Sequence, residues 1–122
     1  AFSYLIGNGD LHAKNISLLQ KKSERSSRLA PGYDLLCTAL YGDPQMALAM
    51  DGKKENLKRK TFVEFGNRYG VAVAATETML KNLVGKFEKH HALFFNFAAA
   101  QEKRTYLEAL FAKRLEHLSI GS

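Results

Sequence analysis

The sequence predicts a mainly α-helical fold with a short β-hairpin near its beginning. After residue 60, apolar side chains recur at three- and four-residue steps, which is typical of amphipathic helices. Before residue 40, two short apolar runs flank a charged segment, a pattern that indicates a hairpin. The 122 residues suffice for one domain or part of one, and 46% are hydrophobic, so a core can form.

The chain divides into three zones that we treat as a single domain. Residues 1–40 are loop-rich and place Gly, Asn and Asp beside short apolar runs. Residues 41–60 combine a small second hairpin with a basic linker, and residues 61–122 form a predicted helical bundle.

The first zone opens with Ala1–Ile6, which resembles the last turns of an apolar helix. The hairpin strands are expected within Asn15–Gln20 and Ser27–Ala30, joined by the charged segment Lys21–Ser26. Such a connection is polar because it is exposed to solvent.

In the second zone, Met46–Met50 is a candidate strand, and Asp51-Gly52 suits a type I′ turn because both positions favour left-handed backbone. Five basic residues follow between Lys53 and Lys60. Such a run is more often an exposed face than a dedicated binding site, so we favour the exposed face.

The third zone is expected to contain three helices. Thr61–Glu64 has the form of a capping box, which places a helix start at Thr61. That helix is expected to end near Gly70, and longer helices are expected over residues 72–90 and 93–117. His117 would then lie where a cation favours the helix dipole.

Composition limits the classes of function. The net charge of +6 favours phosphate-bearing partners or acidic protein surfaces without distinguishing between them. Cys37 is the only cysteine, so a reducing cytoplasm is the expected setting. Apolar stretches are interrupted well before the roughly 20 residues of a membrane span, and the start does not resemble a signal peptide.

The segment Gly7–Asn15 concentrates the chemistry of the chain. Asp10, His12, Lys14 and Asn15 place an acid, an imidazole, an amine and a carboxamide within six residues. Asx turns built by Asn8 and Asp10 are the plain structural alternative, which this spacing alone slightly favours.

The wider pattern favours a site. Asp10 and Asn15 are five residues apart, as are the proton-accepting Asp and the metal-binding Asn of kinase catalytic loops. The predicted hairpin then leads to Asp34, where kinases place a second metal-binding Asp. Carboxylate and carboxamide oxygens suit Mg²⁺, so the three residues form an ordered set.

Two motifs resemble a known family. Gly-Asn-x-Asp-x-His-x-Lys-Asn at Gly7–Asn15 and Leu-Ala-Pro-x-Tyr-Asp-Leu at Leu29–Leu35 are similar to HipA and HipA-like serine/threonine kinases, the toxins of bacterial type II toxin–antitoxin pairs. The likeness extends less specifically over the rest of the chain. It implies the helical C-terminal subdomain of a HipA/protein-kinase-like fold, with the hairpin beside the catalytic loop.

The resemblance implies a role for each residue of the loop. Asp10 corresponds to the catalytic base, while Asn15 and Asp34 correspond to ligands of Mg²⁺. Lys14 would lie near the γ-phosphate of ATP, and Asn8 and His12 would support the loop.

The resemblance also implies partners: Mg²⁺, ATP, a protein substrate such as an aminoacyl-tRNA synthetase, a HipB-like antitoxin, and DNA only through that antitoxin. A nucleotide-covering loop and its lysine are not found before Asp10, so we expect a fragment that is inactive alone and able to self-associate. The alternative is a basic helical binding module that contacts nucleic acid or a protein partner.

Overall fold

The computed structural model describes residues 1–119, and the last three residues of the predicted helical zone lie outside it. The fold is mainly α-helical with a two-stranded sheet in the described chain, as predicted. The helices and strands are α1 (Phe2–Ile6), β1 (Leu18–Leu19), β2 (Arg28–Leu29), α2 (Arg59–Arg68), α3 (Val73–His90) and α4 (Gln101–Leu118). Three 3₁₀ turns cover Ala13–Asn15, Thr38–Tyr41 and His91–Phe97.

The predicted hairpin before residue 40 is confirmed, with shorter strands. β1 and β2 pair antiparallel, with Leu18 opposite Leu29 and Leu19 opposite Arg28. All four residues are exposed, so the hairpin extends away from the core. Its role in the fold is to carry the chain from the Gly7–Asn15 loop out to solvent and back.

The predicted strand at Met46–Met50 is wrong, although its turn is correct. Asp51 and Gly52 both have left-handed φ angles, 50° and 76°, as a type I′ turn requires. The pairing around this turn is a single bridge between Met50 and Lys53. Met46 is drawn into the core while residues 48 and 49 face solvent, so the segment does not extend into a ladder.

Helix α2 begins before the predicted capping box, which is therefore wrong. Its N-cap is Lys58, and Thr61 lies within the first turn. The start is set by burial, because Leu57 and Arg59 are both enclosed in the core. The end agrees with the prediction: α2 stops at Arg68, and Gly70 takes a φ of 84°.

Helix α3 follows the predicted range, but the single helix predicted over residues 93–117 is wrong. The structure has a 3₁₀ turn at His91–Phe97, then a break, then α4. The break occurs at Ala98, which is fully buried. Its carbonyl accepts a hydrogen bond from Arg104 Nε at 3.0 Å, which fixes the chain reversal before α4.

The core lies between α1 and the three long helices. Tyr4, Leu5 and Ile6 are almost completely enclosed, and the Phe111 ring of α4 contacts the Phe87 ring edge-on at 5.1 Å. The Arg114 guanidinium lies 4.5 Å from the centre of the Tyr4 ring and donates to the Tyr4 carbonyl. These contacts anchor helix α1 to α4, and the Gly7–Asn15 loop begins at the end of this anchored helix.

A membrane-crossing helix is not found in the described chain, since none of its helices has the necessary length and apolar character.

Candidate catalytic loop and metal site

The Gly7–Asn15 loop leaves α1 through a left-handed turn. Gly7 has a φ of 72° and ends the helix. Asn8 is only 1% exposed, and its backbone N–H donates to the Ser3 carbonyl at 2.9 Å. Its side-chain oxygen accepts the Asp10 N–H at 2.9 Å, which is the Asx turn expected from the sequence. The turn presents the Asp10 side chain to solvent, so the turn and a site at Asp10 are compatible.

Gly9 is required by packing rather than by an unusual φ angle. A Cβ atom built on Gly9 would lie 2.5 Å from the Gln45 carbonyl oxygen and 2.8 Å from Asp43 Oδ2. These separations are far below van der Waals contact, so the loop backbone lies directly against residues 43–45. A side chain at this position would displace the residue immediately before Asp10.

Asn15 ends the loop in a compact 3₁₀ turn. Its backbone N–H donates to the His12 carbonyl at 2.9 Å, and its side-chain oxygen accepts the His12 N–H at 3.0 Å. These two bonds orient the carboxamide. Its Nδ2 then donates to Asp34 Oδ2 at 3.1 Å, which joins the end of the loop to the far side of the hairpin.

Tyr33 holds the segment that follows β2 beside the loop. Its hydroxyl donates to the Lys14 carbonyl at 2.7 Å and lies 2.7 Å from Ser17 Oγ. The next residue, Asp34, has a left-handed φ of 53°, a conformation that Asp tolerates better than most residues. This backbone turn directs the carboxylate toward Asn15.

The structure brings together some of the predicted residues. Asn15 and Asp34 are in direct contact, and Asn8 supports the loop from within the core. Asp10 and Lys14 are exposed, and within residues 1–119 no hydrogen bond or ion pair joins their side chains to Asn15 or Asp34. His12 contributes its backbone to the turn that orients Asn15.

The donor set suits a hard divalent cation. The Asn15 oxygen that accepts the His12 N–H has a second lone pair, and the Asp34 carboxylate lies beside the same carboxamide. Mg²⁺ is usually held by one or two carboxylates and keeps several waters, which this exposed position allows. Residues 1–119 contain no cluster of three or more His, Cys, Asp or Glu that could hold a metal. The predicted site is of a different kind, because it combines acids with a carboxamide.

Sequence reasoning missed two residues that hold this region together. Thr38 bonds the loop from 29 residues away, and Arg114 donates to the Tyr4 and Pro44 carbonyls from α4. Neither lies in a local motif, so only the tertiary structure reveals them. Cys37, next to Thr38, is half-buried, and burial raises the pKa of its thiol.

The basic run at Lys53–Lys60 is not uniformly a surface feature. Arg59 is buried and donates to the Leu118 carbonyl at 2.9 Å and to the Glu77 carbonyl at 3.0 Å. Part of the positive charge is therefore used inside the fold. The four lysines of the run remain exposed.

The chain is similar to proteins of one family. A family model described as the HipA-like C-terminal domain matches residues 1–91. Two Sinorhizobium fredii proteins are similar to the chain. "Putative kinase Y4mE" is 34% identical over 88 residues, which are 68% of this chain and 20% of that protein. "Putative kinase Y4dM" is 46% identical over 50 residues, 41% of this chain and 12% of that protein.

A solved structure has the same fold. It is the complex of HipA, HipB and operator DNA from Shewanella oneidensis MR-1, matched with a TM-score of 0.68 at 20% identity over 95% of this chain and 28% of the solved chain. The chain thus spans about a fifth or less of the curated relatives that it matches. Because the family model covers most of the sequence, including the loop and the hairpin, the chain belongs to the HipA-like C-terminal domain family.

Proposed function

We propose that this chain is the catalytic-loop and helical part of a Mg²⁺/ATP-dependent protein serine/threonine kinase of the HipA type. The observation that carries the proposal is the 3.1 Å contact between Asn15 and Asp34, residues that are 19 positions apart and lie on opposite sides of the hairpin. Two relatives named as kinases support it. In the proposal, Asp10 lies on the same loop and faces solvent, where a substrate can reach it.

Each residue has a chemical role in this proposal. Asp10 accepts the proton of the substrate hydroxyl as its oxygen bonds to the γ-phosphorus of ATP and the bond from that phosphorus to the ADP leaving group breaks. Asn15 and Asp34 would hold Mg²⁺ through side-chain oxygens. Lys14 places a positive charge beside the transferred phosphoryl group, where negative charge develops. When bound, Mg²⁺ neutralises phosphate charge and orients the γ-phosphate.

The partners follow from the same proposal. The solved neighbour is a complex with HipB and operator DNA, so a HipB-like antitoxin is the partner we propose, with DNA reached through it. The phosphorylated substrate is a protein, for which an aminoacyl-tRNA synthetase is our candidate. A cytoplasmic location is part of the proposal.

The proposal is tested in the full-length parent protein with Asp10→Asn and Asp34→Asn. We expect Asp10→Asn to lower kcat by about 10²- to 10⁴-fold, because it removes the proton acceptor. The affinity for Mn²⁺, the probe ion used in place of Mg²⁺, should change little. We expect Asp34→Asn to weaken Mn²⁺ binding as well as turnover, because it removes a ligand charge. Glu108→Gln on the exposed surface of α4 is the control. Normal phosphate transfer by both Asp variants would contradict the proposal.

We also propose that the 122-residue chain alone binds Mg-ATP weakly and has no kinase turnover. The described residues provide metal ligands and a base but no lysine-bearing strand beneath a glycine-rich loop to hold the α- and β-phosphates. Isothermal titration calorimetry with Mg-ATP measures this directly. Tight binding by the chain alone would be inconsistent with the division of roles proposed here.

The binding-module alternative has less support, because Arg59 and Arg114 are committed to contacts inside the fold. It would be favoured if the chain bound DNA with a steep salt dependence that Asp10→Asn and Asp34→Asn left unchanged.

A further inference from the structure

Thr38 occupies a junction between the two halves of the proposed site. It is the first residue of the 3₁₀ turn Thr38–Tyr41, four residues after Asp34. The Gly9 N–H donates to Thr38 Oγ1 at 2.6 Å, and Gly9 immediately precedes Asp10. One hydroxyl therefore lies between the residue before the proposed base and the segment after the proposed metal ligand.

The hydroxyl of Thr38 both accepts and donates hydrogen bonds. It has one proton to donate and two lone pairs that accept. Gly9 uses a lone pair, and the proton is directed to the Asp43 carbonyl at 2.7 Å, with the Gly7 carbonyl at 3.2 Å as a second acceptor. The Ala39 N–H also donates to the Gly7 carbonyl at 3.0 Å. The loop is thus bound to the 38–43 segment by side chain and backbone together.

These contacts close a ring through the site. The loop connects Asp10 to Asn15, a 3.1 Å hydrogen bond connects Asn15 to Asp34, and the chain continues from Asp34 to Thr38. The Thr38–Gly9 hydrogen bond completes the ring beside Asp10. Without this bond, the segment that carries Asp34 would be held less firmly, so both the Asn15–Asp34 contact and its position relative to Asp10 would loosen.

The environment leaves the loop little alternative position. Gly9 lies so close to Asp43 and Gln45 that even a methyl group would collide with them. The same segment is also held by Arg114, which donates to the Pro44 carbonyl. The Thr38 hydroxyl therefore bonds the loop where residues 43–45 already restrict it. Its contacts fix the position of Gly9 relative to those residues.

We infer that Thr38 is a positioning residue that sets the place of the base Asp10 relative to the metal ligands Asn15 and Asp34. This inference rests on the proposed function. It makes Thr38 a residue that acts through Gly9 without touching substrate or metal. Its removal should change both turnover and the response to metal, because the two groups that it aligns serve those two steps.

The experiment compares Thr38→Val, Thr38→Ser and Thr78→Val in the full-length parent. Valine keeps the shape of Thr38 and removes the hydroxyl, whereas serine keeps the hydroxyl. Thr78 is a matched control, because its hydroxyl donates to the Ala74 carbonyl at 2.8 Å on an exposed face of α3. The measurements are kcat, KM for the protein substrate, the Mg²⁺ concentration for half-maximal rate, Mn²⁺ affinity and the melting temperature.

We expect Thr38→Val to lower kcat by about 10- to 100-fold, the size of effect that a displacement of about 1 Å produces at a reacting centre. The Mg²⁺ requirement should rise several-fold, while KM for the protein substrate changes less. Thr38→Ser should recover most of the activity, and Thr78→Val should behave as the parent. Equal impairment by valine and serine, or a valine variant with normal kcat and metal response, would overturn the inference.

The outcome is separable from that of the proposed function. If the parent binds Mn²⁺ through Asp34 but transfers no phosphate, the kinase proposal fails, and Thr38→Val must still weaken Mn²⁺ binding while Thr38→Ser does not. If Mn²⁺ affinity is then the same in all three variants, the positioning role is rejected as well. A fall in melting temperature without a change in metal affinity would assign Thr38 to folding alone, which also rejects the inference.

Discussion

His117 shows how a single residue can have a different role from the one its position in a helix indicates. The sequence places it where a cation favours the helix dipole. In the structure its Nδ1 lies 2.6 Å from the Tyr4 hydroxyl, and its ring stacks on Tyr4. Burial lowers the pKa of His117, and the nearby Lys113 and Lys58 lower it further. The site therefore favours the neutral imidazole.

The lowered pKa of His117 determines how stability depends on pH. Because the pKa of His117 is lower in the folded chain than its ordinary value of 6.5, the unfolded chain binds the proton more readily. The stabilisation is present above pH 6.5 and is lost as the pH falls through the folded pKa. We expect His117→Asn, which keeps a polar atom near Tyr4, to flatten this loss, measured by urea unfolding between pH 8 and pH 5.

Every other titrating group is present in both proteins, so the difference in pH dependence between wild type and His117→Asn reports His117. Parallel loss of stability in the two proteins would show that His117 contributes nothing to the pH dependence.

Arg59 works at the scale of elements, because it joins three helices. From the start of α2 it donates to the Glu77 carboxylate and carbonyl on α3 and to the Leu118 carbonyl at the end of α4. Such bonds to a charged group are stronger than neutral ones, and their loss removes links between α2 and the other two helices. The contacts explain why α2 begins at Arg59 instead of at the capping box.

We expect Arg59→Met to lower the free energy of unfolding by about 2–4 kcal/mol, because the hydrogen bonds of a buried guanidinium to α3 and α4 are lost. Lys60→Met is the matched control. Its ion pair with Glu64 spans 3.6 Å on the exposed face of α2, so its loss should cost less than about 1 kcal/mol. Urea unfolding measures both. Similar values for the two variants would show that the Arg59 contacts do not hold the helices together.

The elements that could be predicted are those whose cause is local. Helix α3 combines a regular apolar period with a preceding left-handed Gly70, and the Asp51-Gly52 turn depends on two backbone angles. The division before α4 could not be predicted, because alanines favour helix, and only the complete burial of Ala98 beneath Arg104 ends the preceding turn. The same limit applies to the site. The order of Asp10, Asn15 and Asp34 predicted that all three side chains meet around one cation, and the structure joins only Asn15 and Asp34 directly. The Thr38 hydrogen bond could not be predicted, because it depends on tertiary packing.

At the scale of the whole molecule, the notable feature is exposed apolar surface next to the proposed site. A cleft of about 360 Å³ begins directly after Asp34. Tyr41 and Phe97 at its edge are 84% and 78% exposed, and Leu35 and Leu36 are about half exposed. We call these four residues the apolar cleft edge. Large side chains gathered in this way indicate association more strongly than isolated ones do.

We therefore expect the 122-residue chain to self-associate at high micromolar concentration, because pairing of two cleft edges removes their side chains from water. Sedimentation velocity over a range of concentrations should show weight-average mass rising above 13.6 kDa. The double variant Tyr41→Ser, Phe97→Ser should remain monomeric to higher concentration. Leu18→Ser is the control, because Leu18 is also exposed but lies on the hairpin and does not line the cleft. A mass that stays monomeric at every concentration, or association that the control abolishes equally, would show that the cleft edge does not drive self-association.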